Sequence, residues 1–246
     1  AITILQGRCV GGSTTVNWTS SFRTPAATLS HWQTHFGLDA HGEQEMAPWF
    51  EQVERRLNIT PWLIAPNANN ELLRKGAVAL GIESRVIHRN VKACWNLGSC
   101  GMGCPTNAKQ SMLVTTIPAA LDLGTRLLTE TRAQSFELDG GRIAALNCVA
   151  VAPNGEAIPD RATRIVARHY VVAGGAINTP ALLLRSRIPD PHGALGRRTF
   201  LHPVVISAAV FDEAVEGWNG APQTIYSDHF LNVAPIDGPI GFKLEA

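Results

Sequence analysis

The chain has 246 residues, 45% of them hydrophobic and 17% charged, with a formal net charge of +1; it can bury a sizeable core as one large domain or as two that exchange the chain. It has no Lys/Arg cluster and no aromatic stripe beside one, which leaves no electrostatic basis for nucleic acid or an anionic membrane surface as a partner. No apolar run approaches the roughly 20 residues of a spanning helix, and no basic-then-apolar leader opens the chain, so a soluble protein of cytoplasm or periplasm is expected.

The first informative stretch is GRCVGGSTTVNW, residues 7–18. Gly11 and Gly12 let backbone approach a flat or charged ligand, Ser13, Thr14 and Thr15 carry hydroxyls, and Asn17 adds an amide. A capped turn uses the same residue types. Next, HGEQEMAPWFEQVERRL sets Met46, Trp49, Phe50, Val53 and Leu57 at helical spacing, with acids early and Arg55-Arg56 late. This predicts an amphipathic helix over 41–57 with its aromatics in the core. TPWLIAPNAN reads as a proline-bounded loop. NANNELLRKGAVALGI predicts a second helix, capped near Asn70 and stopped by Gly81, with Leu72, Leu73 and Leu80 buried.

The five cysteines are Cys9, Cys94, Cys100, Cys104 and Cys148. Three crowd into CWNLGSCGMGCP as C-x5-C-x3-C-P, which suits metal, redox chemistry or a local bridge better than a spread disulfide framework. Three thiolates on a glycine-rich loop can ligate an iron–sulfur cluster; a disulfide or three free thiols satisfies the same spacing. A helix is expected from Ala108.

Beyond Leu123 the period shifts to strands, with Asp139-Gly140-Gly141 as a hairpin turn. TRIVARHYVVAGGAINTPALLLRS then predicts a strand over Ile165–Val172, a turn at Gly174-Gly175 and a helix. Asn178 or Thr179 would cap that helix, Pro180 would sit near its start, and Leu182 to Leu184 would be buried. Strand, glycine turn and helix N-terminus form a corner at which a phosphate or flavin edge can meet backbone N–H groups. Of the eight histidines, His31, His35, His41, His88, His169, His192, His202 and His229, only His31 and His35 stand at i, i+4. No acid or third ligand beside them makes a zinc helix.

Taken together, these stretches resemble the glucose-methanol-choline (GMC) flavoprotein oxidoreductases. GRCVGGSTTVNW is similar to the family's G-[KR]-x-[LV]-G-G-[ST]-[ST]-x-x-N. VVAGGAINTPALLLRS is similar to its G-A-x-x-[ST]-P-x-[LIVM]-[LIVM]-x-x-S, through Gly175, Ala176, Thr179, Pro180, Leu182, Leu183 and Ser186, with Arg187 where a glycine usually follows. LGRRTFLHP is a looser match through Gly196, His202 and Pro203; Thr199 and Leu201 depart from it.

The resemblance implies a mixed α/β fold, a partial FAD-binding Rossmann-like domain interleaved with a β-sheet substrate domain. Its segments would be 1–30 (FAD-binding), 31–108 (lid and substrate side, with the cysteines), 109–190 (FAD-binding) and 191–246 (start of the substrate sheet). It also implies oxidation of a small-molecule alcohol by hydride transfer to flavin. Gly11, Gly12, Ser13, Asn17, Trp18, Thr19 and Ser20 would lie along FAD, Ala133 would meet the adenine, and Ala173 and Gly174 would close the other side. Val16 stands where some members carry a histidine bonded to FAD, so the cofactor is expected to be noncovalent.

The cysteine spacing resembles that of iron–sulfur-bearing FAD glucose dehydrogenases, with Cys94, Cys100 and Cys104 as ligands and electrons leaving to a quinone or cytochrome. It equally resembles the C-G-x-G-C-P-x-x-A-K loops of long-chain alcohol oxidase-like members, in which no cluster is implied. The family's G-x-G-x-x-G unit is absent, and its catalytic histidine segment would follow PIGFKLEA. The chain therefore reads as the middle of a longer enzyme, inactive without the remainder of its polypeptide. A noncatalytic nucleotide-binding or interaction domain stays open as a third reading.

Overall fold

The computed structural model describes residues 3–197, 199–200, 202–231 and 241–246, divided into two compact units. One takes Ala1–Thr125 and Val210–Ala246, the other Arg126–Ala209. The architecture is mixed α/β, as expected.

In the first unit, α1 (Ala26–Phe36) and α2 (Glu43–Arg56) lead to β1 (Ile59–Pro61), α3 (Ala68–Ala79), β2 (Arg85–Val86), β3 (His88–Asn90) and α4 (Thr116–Asp122). The returning chain adds two strands. The sheets are small and antiparallel: β1 pairs β3, while β2 and β8 (Leu244–Glu245) flank β7 (Ile225–Ser227). Their apolar core gathers Leu29, Trp62, Ala77, Ile87, Ala108, Ala221, Ile225 and Tyr226.

The helix predicted over 41–57 is α2, but its aromatics are not core. Trp49 is 62% and Val53 51% exposed, because α2 rests one side against α1 and β1 and nothing described covers the other. Phe50 is held instead by the Arg23 guanidinium 5.6 Å from its ring, and Arg23 also grips Glu54 bidentately at 2.6–2.7 Å.

Asn67, not Asn70, caps α3, its side chain accepting from the Asn70 N–H at 2.9 Å. Asn70 is fully buried as a core connector. Its Oδ1 accepts from the Thr224 and Ile225 N–H groups at 2.8 and 3.0 Å, and its Nδ2 donates to Asn67 Oδ1 and to the Pro222 carbonyl. The helix expected from Ala108 is replaced by turns, with helix only from Thr116, since Ala108 and Lys109 are drawn into the core opposite Val91.

The second unit is a meander, β4 (Thr131–Asp139), β5 (Arg142–Val151) and β6 (Ala157–Ile165), with α5 (Gly175–Arg185) packed on β4. Gly140 and Gly141 turn the first hairpin at φ +55° and +80°, the two-residue turn that matches strand twist. Phe136, Ala145, Cys148 and Leu182 fill its core. Ser186 locks helix to sheet, accepting from the Phe136 N–H at 2.8 Å and donating to the Leu182 carbonyl at 2.7 Å.

The strand expected over Ile165–Val172 ends at Ile165. No described strand pairs with 166–172, and unpaired backbone has no ladder to hold it extended. α5 begins at Gly175 rather than after Asn178, and Thr179 Oγ1 accepts the Gly174 N–H from within the helix. Leu182 is buried as predicted, while Leu184 is 55% exposed. Arg187, where the family motif has glycine, stands just past the helix C-cap at φ +54°. That left-handed conformation costs a side chain about 1 kcal/mol. Arg187→Gly should therefore raise stability by about 1 kcal/mol in urea denaturation of this unit.

Candidate functional site

Residues 7–20 fold as a tight loop around a 3-10 turn at Gly12–Thr15. Gly11 stands at φ +90°, where an added Cβ would lie 2.7 Å from Thr15 Oγ1 and 2.9 Å from Leu113 N; one on Gly12, at φ +57°, would meet nothing within 4 Å. Gly11 is thus pressed against the unit, while Gly12, its N–H bonded to the Cys9 carbonyl at 2.9 Å, is open on its Cα side. The hydroxyls serve the loop itself. Ser13 Oγ accepts from the Gly7 N–H at 3.0 Å, and Thr14 and Thr15 donate to the Gly11 and Val10 carbonyls. Thr14 Oγ1 also accepts from the Met112 N–H at 3.0 Å. Ser13, Asn17 and Trp18 are exposed. Thr19 is buried at φ +71°, and Ser20, half-buried, donates to Gln223 at 3.1 Å.

Two buried cations stand behind this loop. Lys109, 3% exposed, directs Nζ at three carbonyl oxygens: Thr15 at 2.9 Å, Asn17 at 2.6 Å and Cys100 at 2.7 Å. An ammonium has three protons, and this geometry uses all three. Arg89, fully buried, donates Nε to Thr19 Oγ1 at 2.8 Å and Nη2 to the Trp18 carbonyl at 3.0 Å and Cys100 Sγ at 3.3 Å. Its guanidinium carbon lies 4.7 Å from the centre of the Trp62 ring. Arg89 Nη1 has no hydrogen-bond partner among the described residues.

None of the described salt bridges gives either cation a carboxylate. Burial draws the Lys109 ammonium below its ordinary pKa, opposed by the nearby Cys100 and Cys104 and reinforced by Arg89. Sequence reasoning assigned no role to Arg89 or Lys109. The only signal was the alanine–lysine pair closing the C-P-x-x-A-K loop; Arg89, in an unremarkable IHRN, carried none.

The cysteine loop adjoins the same cations. Cys94, Cys100 and Cys104, with Thr19, Asn96 and Lys109, line a cavity of about 30 Å³, room for one or two waters. All five cysteines are free. Cys94 Sγ accepts from the Asn96 N–H at 3.4 Å. Burial alone would raise the Cys104 thiol, but the Thr106 hydroxyl and the N–H groups of Lys109, Thr106 and Ala108 outweigh it and hold the pKa below the ordinary thiol range. No group of three or more His, Cys, Asp or Glu able to hold a metal ion occurs among the described residues. The expected iron–sulfur ligand set is therefore not assembled: the three sulfurs face separate donors rather than a common centre. His31 and His35 stack on each other, ring centres 4.2 Å apart, again without a third ligand.

The remaining predicted residues belong to the second unit. Ala133, half-buried on β4, pairs with Cys148 beside a register shift that leaves Gln134 outside the ladder. Ala173 and Gly174 are exposed at the start of α5. His202 is exposed, and Leu201 lies outside the described residues. No described helix is long and apolar enough to cross a membrane.

Comparison with known proteins places these features in a family. The GMC oxidoreductase profile matches residues 1–204. The chain is 32% identical over 225 residues to an uncharacterized GMC-type oxidoreductase of Mycobacterium tuberculosis, covering 91% of this chain and 34% of that protein. It is 28% identical over 245 residues to a long-chain-alcohol oxidase of Arabidopsis thaliana, covering 95% and 32%. It thus spans about a third of the length of the curated relatives it matches. A solved structure of pyridoxine 4-oxidase from Mesorbium loti shares the fold at a TM-score of 0.50 and 17% identity, over 74% of this chain and 37% of that one. The glycine loop and Gly175–Ser186 both lie within the matched residues, and the chain belongs to the GMC oxidoreductases.

Proposed function

We propose that the chain forms part of an FAD-dependent oxidoreductase acting on the CH–OH group of a small-molecule alcohol, with FAD held noncovalently. The observation that carries this reading is the glycine loop: an open Cα side at Gly12, braced from behind by Arg89 and Lys109, two buried cations with no carboxylate partner among the described residues. Bare backbone suits the close approach of a flat ring, and uncompensated positive charge suits an anionic ligand. FAD offers both.

Gly11, Gly12, Ser13, Asn17, Trp18, Thr19 and Ser20 are the residues of the first unit assigned to the cofactor. Ala133, assigned to the adenine, and Ala173 and Gly174 are those of the second. When bound, FAD would accept the hydride removed from the alcohol carbon. The chain's own contribution is orientation. Lys109 fixes the carbonyls of Thr15 and Asn17, Arg89 fixes Trp18 and Thr19, and the backbone between them is held in one geometry before any ligand arrives. The hydroxyl proton is assigned to a base supplied by the remainder of the polypeptide. The long-chain-alcohol oxidases among the relatives support an alcohol as substrate class.

The test is an absorption spectrum of the protein purified with its natural flanking segments. Oxidised flavin bands should be present, should bleach on anaerobic addition of a primary alcohol, and should follow the supernatant after acid precipitation. Flavin remaining in the pellet would overturn noncovalent binding. Absence of flavin, with no uptake of added FAD, would overturn the reading as a whole.

A further inference from the structure

The cysteine loop carries chemistry that the flavin reading does not use. Hydrogen bonds from the Met102 N–H to the Ser99 carbonyl at 3.1 Å and from the Gly103 N–H to the Cys100 carbonyl at 3.4 Å fold residues 99–104 back on themselves. Gly101 and Gly103 form a bridge at the tip. Cys100 and Cys104 sit on either side of that tip, and both residues line the same cavity of about 30 Å³, room for a water or two. The glycines between them leave the backbone free to adjust to a disulfide's span.

The hydrogen-bond donors around Cys104 favour its sulfur in the anionic form. Cys104 Sγ accepts the Lys109 N–H at 3.4 Å and lies 3.5 Å from the Thr106 hydroxyl. Cys100 Sγ accepts from Arg89 Nη2, and the Cys100 carbonyl takes a proton of Lys109. Among the described residues these two buried cations have no carboxylate partner and Arg89 Nη1 has no hydrogen-bond partner, which leaves the cluster short of negative charge. A thiolate supplies it, and thiolates rather than thiols react with peroxides.

We propose that Cys100 and Cys104 form a peroxide-reactive dithiol, in which a hydroperoxide oxidises Cys104 and Cys100 closes on it as a disulfide. In the first step the Cys104 thiolate attacks one oxygen of hydrogen peroxide. The O–O bond breaks, Cys104 becomes a sulfenic acid, and the hydroxide released takes a proton from solvent to leave as water. In the second, Cys100 sulfur attacks the Cys104 sulfur, the S–O bond breaks, and that oxygen leaves as a second water with the thiol proton of Cys100. Two thiols lose two electrons, and one peroxide is reduced to two waters. Because Cys100 also touches Arg89 and Lys109, the bond would alter the support beneath Trp18 and Thr19.

The proposal stands apart from the flavin reading, and its test needs no turnover. The full-length protein, reduced and desalted, is exposed to hydrogen peroxide, quenched with N-ethylmaleimide and mapped by peptide mass. Accessibility alone favours exposed Cys9; the Thr106 hydroxyl and the N–H donors around its sulfur favour half-buried Cys104, which should react at least about tenfold faster than Cys9. The expected product is a 100–104 cross-link two hydrogens lighter than the dithiol. In Cys100→Ser, the sulfenic acid should persist at Cys104 and be trapped by dimedone. The wild-type map decides the matter even if that variant does not fold. Oxidation of Cys9 ahead of Cys104, a cross-link through Cys94, or stoichiometric iron with all three loop thiols shielded from maleimide would each overturn it.

Discussion

Lys109→Met should destabilise the first unit by about 3 kcal/mol, roughly two decades in its folding equilibrium. Methionine fills a similar volume but offers no protons, so the carbonyls of Thr15, Asn17 and Cys100 lose a shared donor in a site 3% exposed. Each carbonyl left unpaired costs about 1 kcal/mol or more. The gain from no longer burying a charge offsets part of that, because burial already disfavours the Lys109 ammonium. Lys109→Arg should rescue little, since a planar guanidinium cannot point three protons at three converging oxygens. Urea denaturation reads the stability, and flavin retained after gel filtration of the full-length protein reads the loop. A loss under 1 kcal/mol would mean that the three contacts do not hold the loop together.

Asn70→Ala should cost the same unit about 3–4 kcal/mol. The buried amide serves four partners, and truncation leaves the Thr224 and Ile225 N–H groups and the Pro222 carbonyl unmet. At about 1–3 kcal/mol per buried unsatisfied group, partial relaxation still leaves several kcal/mol lost. Asn70→Asp is the informative companion. Its carboxylate keeps an acceptor for both N–H groups but cannot donate to Pro222, so it should fall between wild type and alanine near neutral pH. Hydrogen exchange at Thr224 and Ile225 should report the local opening directly. Unchanged protection there in Asn70→Ala would show that the amide is not what ties α3 to β7.

Elements that the structure settles locally were legible from local sequence patterns. The hairpin at Gly140-Gly141, α2, α3 and α5 follow from periodicity and turn chemistry within a dozen residues. The glycine loop was legible for the same reason: a backbone that must adopt positive φ at Gly11 leaves glycine in the text.

What escaped were the features decided at long range. Trp49 reads as core by spacing, yet no described partner covers it. Asn70 reads as a cap but is claimed by a segment more than 150 residues on. Residues 166–172 read as a strand, but no described strand pairs with them. Arg89 and Lys109 escaped because charged residues are expected in solvent, and nothing local in IHRN or AKQS marks a pair that will be buried with no acid partner among the described residues. The cysteine spacing left a cluster, a bridge and free thiols open, and only the folded loop shows which donors each sulfur meets.

The join between α3 and β7 also bears on the timing of synthesis. Asn70 leaves the ribosome 154 residues before the Thr224 N–H it must accept. At about 5–20 residues per second the wait is on the order of ten seconds. Through that interval the second unit, whose pairings are local, can fold, while Asn70, Ile87 and β2 remain without Thr224, Ile225 and Tyr226. The first unit is thus a late-closing structure, and its half-finished core is the surface that chaperones would meet on the nascent chain.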